Sequence, residues 1–357
     1  MKKIGFLTSG GDCQGLNATM RGVAKHLFEH YGSAELKVYG FKDGYKGLIN
    51  NEYDVLTSSD FSGILNLGGT ILGTSRVPFK ELKNEEGMPR VKKMKETYNL
   101  LGLDCLVVLG GNGTHKTANL LSEEGLNVVT LPKTIDNDIW GTDMTFGFHS
   151  ALGVATDVID RLHSTATSHS RIFIVEVMGH KAGWLTLYAG VAGGVEVILL
   201  PEIPYDIDKV VDVLEARRQA KKKFSILAVA EGAISKEEAK MSKKEFRQAR
   251  ENMKYSNISY RIADEIAARS DLEVRVTIPG HVQRGGDPSA YDRVLSTRLG
   301  AKAAELIINK QYGYMAALKD NQIVPVPLSE VAGKLKTVPL DSEVITAARE
   351  IGISFGD

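Results

Sequence analysis

Cysteine is scarce in this chain: two residues, Cys13 and Cys105, among 357. That excludes a disulfide scaffold, and both thiols are expected as small buried or loop residues. Net charge is missing as well, since 44 Lys and Arg balance 44 Asp and Glu. A neutral balance gives no global pull toward nucleic acid or an anionic membrane, so any anion site has to be a local cluster. Long apolar runs are lacking too, and no stretch approaches the ~18 residues that a membrane helix needs. Met1 to Thr8 runs straight into a strand-like segment, without the basic region, apolar stretch and cleavage site of a secretory leader. No period suggests a repeat architecture. The expectation is a cytoplasmic protein with no nucleic-acid and no membrane partner.

What is present is a soluble globular composition, with 43% hydrophobic and 25% charged residues. The length exceeds one compact core and predicts two lobes. Short β-branched apolar runs read as buried strands: Lys3–Thr8, Asp104–Leu109, Asn127–Leu131, Arg171–Val177, Val195–Leu200, Phe224–Ala230 and Glu273–Ile278. Helical patterns separate them. Leu16, Met20, Val23, Ala24, Leu27 and Phe28 form one apolar stripe. Others run over Ala151–Leu162, over Asp206–Lys222 and from about Lys116. Alternating strands and helices imply an α/β fold of two Rossmann-like lobes, with mostly parallel sheets sandwiched by helices. One lobe is placed at 1–138 plus about 306–357, the other at 139–305. Residues 231–260, with a charged core at about 235–260, read as a solvated helical excursion.

Ligands of such sheets sit beyond the carboxyl ends of the strands. The glycine turns of this chain lie there. Ser9 to Asn17 (SGGDCQGLN) follows the first strand, where glycines let backbone approach an anion and the next helix offers free N–H groups. Gly110-Gly111-Asn112-Gly113-Thr114 repeats that arrangement, and a polyphosphate lying across both would meet two sets of donors. Pro132 to Asp138 (PKTIDND) gathers a lysine and two carboxylates at a third strand end. One carboxylate can act as a base toward a hydroxyl and the other can hold a cation, although Asp and Asn also simply form turns. Basic residues beside glycines, Arg76, Arg171, His180, Arg275, His281 and Arg284, suit a phosphomonoester.

The order and spacing of GGDCQGLN at 10–17, GGNGT at 110–114, PKTIDND at 132–138, EVMG at 176–179 and PGHVQRGG at 279–286 resemble the phosphofructokinase family over nearly the whole chain. The resemblance implies phosphoryl transfer from ATP to the 1-hydroxyl of fructose 6-phosphate, with Mg²⁺. It implies Asp136 as the general base, with Thr134 and Asp138 holding substrate and charge. Gly11, Arg76, Lys133 and the loop Gly110, Gly111, Asn112, Gly113, Thr114 would hold the donor, with Arg76 stabilising the group in flight. Arg171, Arg275, His281 and Arg284 would bind the sugar 6-phosphate, and Met178, Gly179, His180 and Glu231 would line the sugar pocket. In relatives, Arg171 and Arg275 reach in from another subunit, which implies a homodimer or homotetramer.

Some positions depart from the common bacterial pattern. Asn112 replaces an aspartate that helps hold magnesium, leaving Asn112 and Asp138 as the metal candidates. Gly113 suits an adenine nucleotide, whereas Lys133 is found in pyrophosphate users, and Lys42 stands where an aromatic usually faces adenine. ATP is the favoured donor and pyrophosphate the alternative. An effector site would draw on Arg21, Lys25, Glu196 and Lys222, with His163 in place of an arginine. PKTIDND and HVQRGG argue against an NAD or lipid kinase, and the presence of Asp136 and Arg171 argues against a silent regulatory subunit.

Overall fold

The computed structural model describes residues 1–82 and 88–357. The chain forms two compact units, one of residues 1–151 with 284–336 and the other of residues 152–283 with 337–357. The strands, in chain order, are β1 (Lys2–Ser9), β2 (Leu36–Phe41), β3 (Tyr53–Leu56), β4 (Cys105–Gly110), β5 (Val128–Pro132) and β6 (Ile172–Val177). They continue with β7 (Val197–Leu199), β8 (Ser225–Ala230), β9 (Val274–Thr277), β10 (Tyr314–Lys319) and β11 (Gln322–Pro327).

The first unit is built on a seven-stranded sheet of order β11-β10-β5-β4-β1-β2-β3. Its central neighbours are parallel, and only the outermost pairs, β2 with β3 and β10 with β11, are antiparallel. β4 and β5 are buried along their whole length. That is why their sequences run apolar without alternation: helices cover both faces. At roughly 1.5–3 kcal/mol per fully buried large apolar side chain, these strands contribute substantially to the unit's cohesion. The second unit holds a four-stranded, wholly parallel sheet of order β7-β8-β6-β9.

Every strand expected from the sequence is present within a residue or two. β2, β3, β10 and β11 were not anticipated. The glycine loop GGNGT also differs from expectation: the helix starts at Asn112, not near Lys116, and runs Asn112–Glu123 from an extended Gly111. The helix expected over Ala151–Leu162 is longer, Phe148–His169.

The boundaries depart from the expected lobes at three places: residues 139–151 and 284–305 lie with the first unit, and 337–357 with the second. The helix Ala290–Ile308 lies with the first unit because it packs on Leu16–Tyr31. Gly22 and Gly300 allow the close approach: a Cβ on Gly300 would stand 2.7 Å from Thr19 O. Buried Asp292 ties the same helix down, accepting from the amides of Gly147 (3.1 Å) and Ser150 (2.8 Å). The tail 337–357 belongs instead to the second unit. Ile198 N donates to Ser354 O at 2.9 Å and Ser354 N donates to Glu196 O at 3.0 Å.

The charged excursion is not merely solvated. It folds into short helices, Lys236–Ala239 and Lys243–Glu251, followed by Ile258–Ala267. Glu238, 5% exposed, anchors it by pairing with Arg250 (2.8 Å) and Arg261 (2.7 Å). Both cysteines are buried free thiols, and burial pushes the Cys13 thiol up to about 12. Among the described residues, no helix is long and apolar enough to cross a membrane.

Candidate active site

In the first unit, β1, β4 and β5 are adjacent and parallel, so the segments that follow them emerge at one sheet edge. The turn after β1 uses Gly10 at φ 90° and Gly15 at φ 94°, a left-handed backbone that other residues resist. The segment carrying Arg76 is stitched onto this turn. Gly10 N donates to Ser75 O (3.0 Å) and Thr74 Oγ1 donates to Gly10 O (2.7 Å). Arg76 itself is exposed and lines a cleft of about 520 Å³ together with Lys46, Arg90 and Lys93.

The turn after β4 is close-fitting at Gly110, where a Cβ would stand 2.2 Å from the Thr114 side chain. At Gly113 a Cβ would meet nothing within 4 Å, so this position faces open space. Tyr45 Oη donates to Thr114 O at 3.0 Å, which fixes the first turn of the helix. The free N–H groups of that turn and the positive helix end favour an anion there.

The loop after β5 joins both turns. Lys133 N donates to Gly110 O at 3.0 Å, and the Lys133 ammonium donates to Gly11 O. Lys133 is 4% exposed, and burial, reinforced by Arg284, lowers its pKa, while the charges of Asp12 and Asp136 oppose the shift. Arg284 donates to Asp12 O at 3.0 Å, beside Gly11. Asp136 follows a local turn in which its amide donates to Thr134 Oγ1 at 3.1 Å. The Asn112 amide donates to Asp138 at both its Oδ2 (2.8 Å) and its backbone O (3.1 Å). Asn112 Oδ1 is buried without a hydrogen-bond partner.

Two features of this loop escaped the sequence reading. Asn137, between the carboxylates, adopts φ 51°, and its side chain accepts from Thr145 N (3.1 Å) and donates to Asp143 O (3.3 Å). Lys336, far along the chain, also bonds this loop. Burial pulls the Lys336 ammonium down to about 8, against the opposing charges of Asp143 and Asp138. No local pattern marks either residue.

The second unit gathers its own set at the end of β6. Met178 N donates to Gln283 Oε1 (3.2 Å), and Gly179 N donates to Glu231 Oε1 (3.4 Å). Gly179 sits at φ 138°, and a Cβ there would stand 2.9 Å from Ala182 O, so glycine is needed. His180 and Glu231 border a cavity of about 780 Å³. His281 is exposed on the short helical turn Gly280–Arg284.

Arg171 and Arg275 are not part of that set. Arg171 precedes β6, whereas Met178 follows it, so about six residues at ~3.3 Å each separate them. Arg171 pairs with Glu273 at 2.9 Å, and Arg275 pairs with the same carboxylate. Of the residues considered for an effector, Glu196 is already taken by Arg217 (2.6 Å) and Ile226 N (2.7 Å), and His163 contacts Gly193 O at 2.6 Å. Among the described residues, no cluster of three or more His, Cys, Asp or Glu is placed to hold a metal ion.

Two glycine turns, each opening a helix, joined by a loop with a buried lysine and two carboxylates, define an α/β enzyme of phosphoryl transfer. The chain belongs to the phosphofructokinase family, whose model, described as Phosphofructokinase, matches residues 3–307. It is 55% identical to the ATP-dependent 6-phosphofructokinase of Spirochaeta thermophila, over 100% of this chain and 98% of that one. It is 48% identical to ATP-dependent 6-phosphofructokinase 3 of Bacteroides thetaiotaomicron, over 99% of this chain and 100% of that one. Among solved structures, the phosphofructokinase of Pichia pastoris in the T-state superposes with a TM-score of 0.79 at 32% identity. That match covers 98% of this chain and 36% of the larger yeast chain.

Proposed function

We propose that this protein transfers the terminal phosphoryl group of ATP to the 1-hydroxyl of D-fructose 6-phosphate, giving fructose 1,6-bisphosphate and ADP. The observation that carries the reading is the loop after β5, which bonds to both glycine turns while presenting Asp136 and Asp138. Asp136 takes the proton of the sugar 1-hydroxyl as that oxygen attacks the terminal phosphorus. A positioned carboxylate contributes ~10²–10⁴ in rate to such a step. Thr134 holds the base through its amide. The helix start at Asn112 and the turn at Gly11 receive the donor phosphates, and Arg76 offsets charge on the group in transfer.

Two names among the relatives support ATP as donor, and so does the chemistry of the loop. Gly113 opens onto free space that a nucleotide needs. Lys133 is buried and spent on Gly11 O, so it braces the donor turn more than it replaces a phosphate. The residues present also fit Mg²⁺. Asn112 Oδ1, buried and without a hydrogen-bond partner, is a neutral oxygen ligand beside the Asp138 carboxylate, the hard donor set that this ion prefers. Asn112 and Asp138 would hold the metal, which neutralises charge on the phosphates when bound.

Met178, Gly179, His180 and Glu231 receive the sugar, with His281 and Arg284 toward its 6-phosphate. Arg171 and Arg275 lie at the other end of β6 from Met178. They serve a neighbouring subunit's substrate in a homodimer or homotetramer, the usual closed symmetric assemblies. The setting is the cytoplasm. The test is a coupled assay of fructose 1,6-bisphosphate formation in Mg²⁺, with ATP and pyrophosphate side by side. Turnover with ATP alone is expected. Turnover with pyrophosphate alone overturns the donor assignment, and turnover with neither overturns the reaction.

A further inference from the structure

We propose that Lys336 is a positioning residue for the carboxylate loop, acting through Asn137 to hold Asp136 and Asp138 at their working angles. The inference rests on the function proposed above for Asp136. Asn137 is the hinge between the two carboxylates. Its φ of 51° lies in the left-handed region, which a non-glycine residue enters at a cost and keeps only when its surroundings fix it. Asn137 is 3% exposed. Its own side chain bonds to residues 143 and 145 fold the loop back on itself.

Lys336 closes that fold from a distant part of the chain. Its ammonium donates to Asn137 Oδ1 (2.9 Å), Thr142 O (2.8 Å) and Asp143 O (2.8 Å). Its backbone amide donates to Asp138 O at 2.9 Å. The neighbouring pair Ile139 and Leu335 forms an antiparallel bridge. One residue therefore bonds to the hinge, to one of the carboxylate residues and to the far limb of the loop. Lys336 lies beyond residues 3–307, the part matched by the family model. The loop that carries the base is thus completed by a segment outside that part.

The geometry predicts a specific kinetic pattern. Lys336→Met keeps the apolar stem and removes the ammonium. The loop keeps its backbone bonds and the Asn137 bonds to residues 143 and 145, but loses the ammonium that ties Asn137 to the far limb. A displacement of about 1 Å at the reacting atoms costs on the order of 10²-fold in rate. Expected results are a kcat fall of about that size, a KM for fructose 6-phosphate within a few-fold of wild type, and faster amide exchange confined to residues 134–145. Asn137→Gly tests the route, since glycine tolerates the backbone angle but cannot accept from Lys336. If Lys336 acts through Asn137, the double variant is no slower than the slower single one. Unchanged kcat, or faster exchange across both sheets together with a general loss of stability, overturns the proposal. Should wild-type protein fail to phosphorylate fructose 6-phosphate, the functional reading fails alone. Exchange over 134–145 then still decides whether Lys336 holds the loop, and unaltered protection there overturns it.

Discussion

Replacing Asp136 by asparagine removes a charge and a base while changing almost nothing in shape. The side chain is half-buried on a turn whose backbone is held by the bond from the Asp136 amide to Thr134 Oγ1, 3.1 Å, which the substitution leaves in place. Thr134 is held in turn, its carbonyl accepting from Thr145 Oγ1 at 2.7 Å. The fold should therefore survive and the sugar should still bind. What is lost is the acceptor for the hydroxyl proton, because a carboxamide is not a base near neutral pH. General-base catalysis contributes ~10²–10⁴, which at 1.36 kcal/mol per tenfold is about 2.7–5.4 kcal/mol of transition-state stabilisation. A coupled assay at saturating ATP and Mg²⁺ should show kcat reduced by that factor. KM for fructose 6-phosphate should stay within a few-fold, since the loss falls on the transition state alone. Turnover within a few-fold of wild type refutes the assignment of Asp136, and a large KM rise at unchanged kcat makes Asp136 a binding group.

Other outcomes follow from the same geometry. Gly113→Asp should fold normally, because a Cβ there meets open space, yet turnover with ATP should fall steeply while thermal stability stays put. Glu238→Ala leaves Arg250 and Arg261 without their shared carboxylate, and calorimetry should register a loss of about 3–5 kcal/mol. Burial pushes the Glu238 carboxyl up, but the bonds from Arg261 and the Ser235 amide and the charge of Arg250 outweigh it and hold it below the usual carboxylate range. Its contribution is accordingly complete above that range and lost as pH falls through the lowered native value. Acid unfolding curves of wild type and Glu238→Gln should converge at low pH and separate as pH rises. Mixing Asp136→Asn and Arg171→Ala subunits should restore about a quarter of wild-type activity in a twofold assembly whose sites borrow Arg171 across the interface. Mixtures as inactive as the separate variants contradict that arrangement.

Burial on both faces made the central strands legible, but it was not the whole signal, since the edge strand β9 was expected and the mostly buried β2 and β10 were not. β4 and β5 are buried throughout, and so they appear as unbroken apolar runs. β3 and β11 are edge strands with exposed positions, and β11 carries Pro325 in its middle, so neither shows a buried-strand pattern. The start of the helix at Asn112 was hidden because glycines at 111 and 113 read as turn residues, although Gly113 stands inside the helix. Asp136 and Asp138 could be singled out because two carboxylates and a lysine stand at one strand end. Asn137 and Lys336 could not. Asn137 is an ordinary turn former by type, and its φ of 51° is a property of the folded loop. Lys336 reaches it across 199 positions of sequence, with no local signal to mark the contact.

The division into units shows the same limit. A tail that returns to the first lobe is the simplest reading of chain order. In the structure, residues 337–357 go to the second unit because Ser354 inserts beside β7 through backbone bonds to Glu196 and Ile198. Backbone pairing of that kind depends on which strand edge is left uncovered, and composition does not record it.

Phosphorus-31 NMR of wild-type protein incubated with Mg²⁺, ATP and fructose 6-phosphate tests the central claim most directly. The terminal ATP resonance should disappear as ADP and a new sugar 1-phosphate resonance grow in equal amounts, with the 6-phosphate retained. ADP appearing with free phosphate and no new sugar ester, or a phosphate carried to another position, contradicts it.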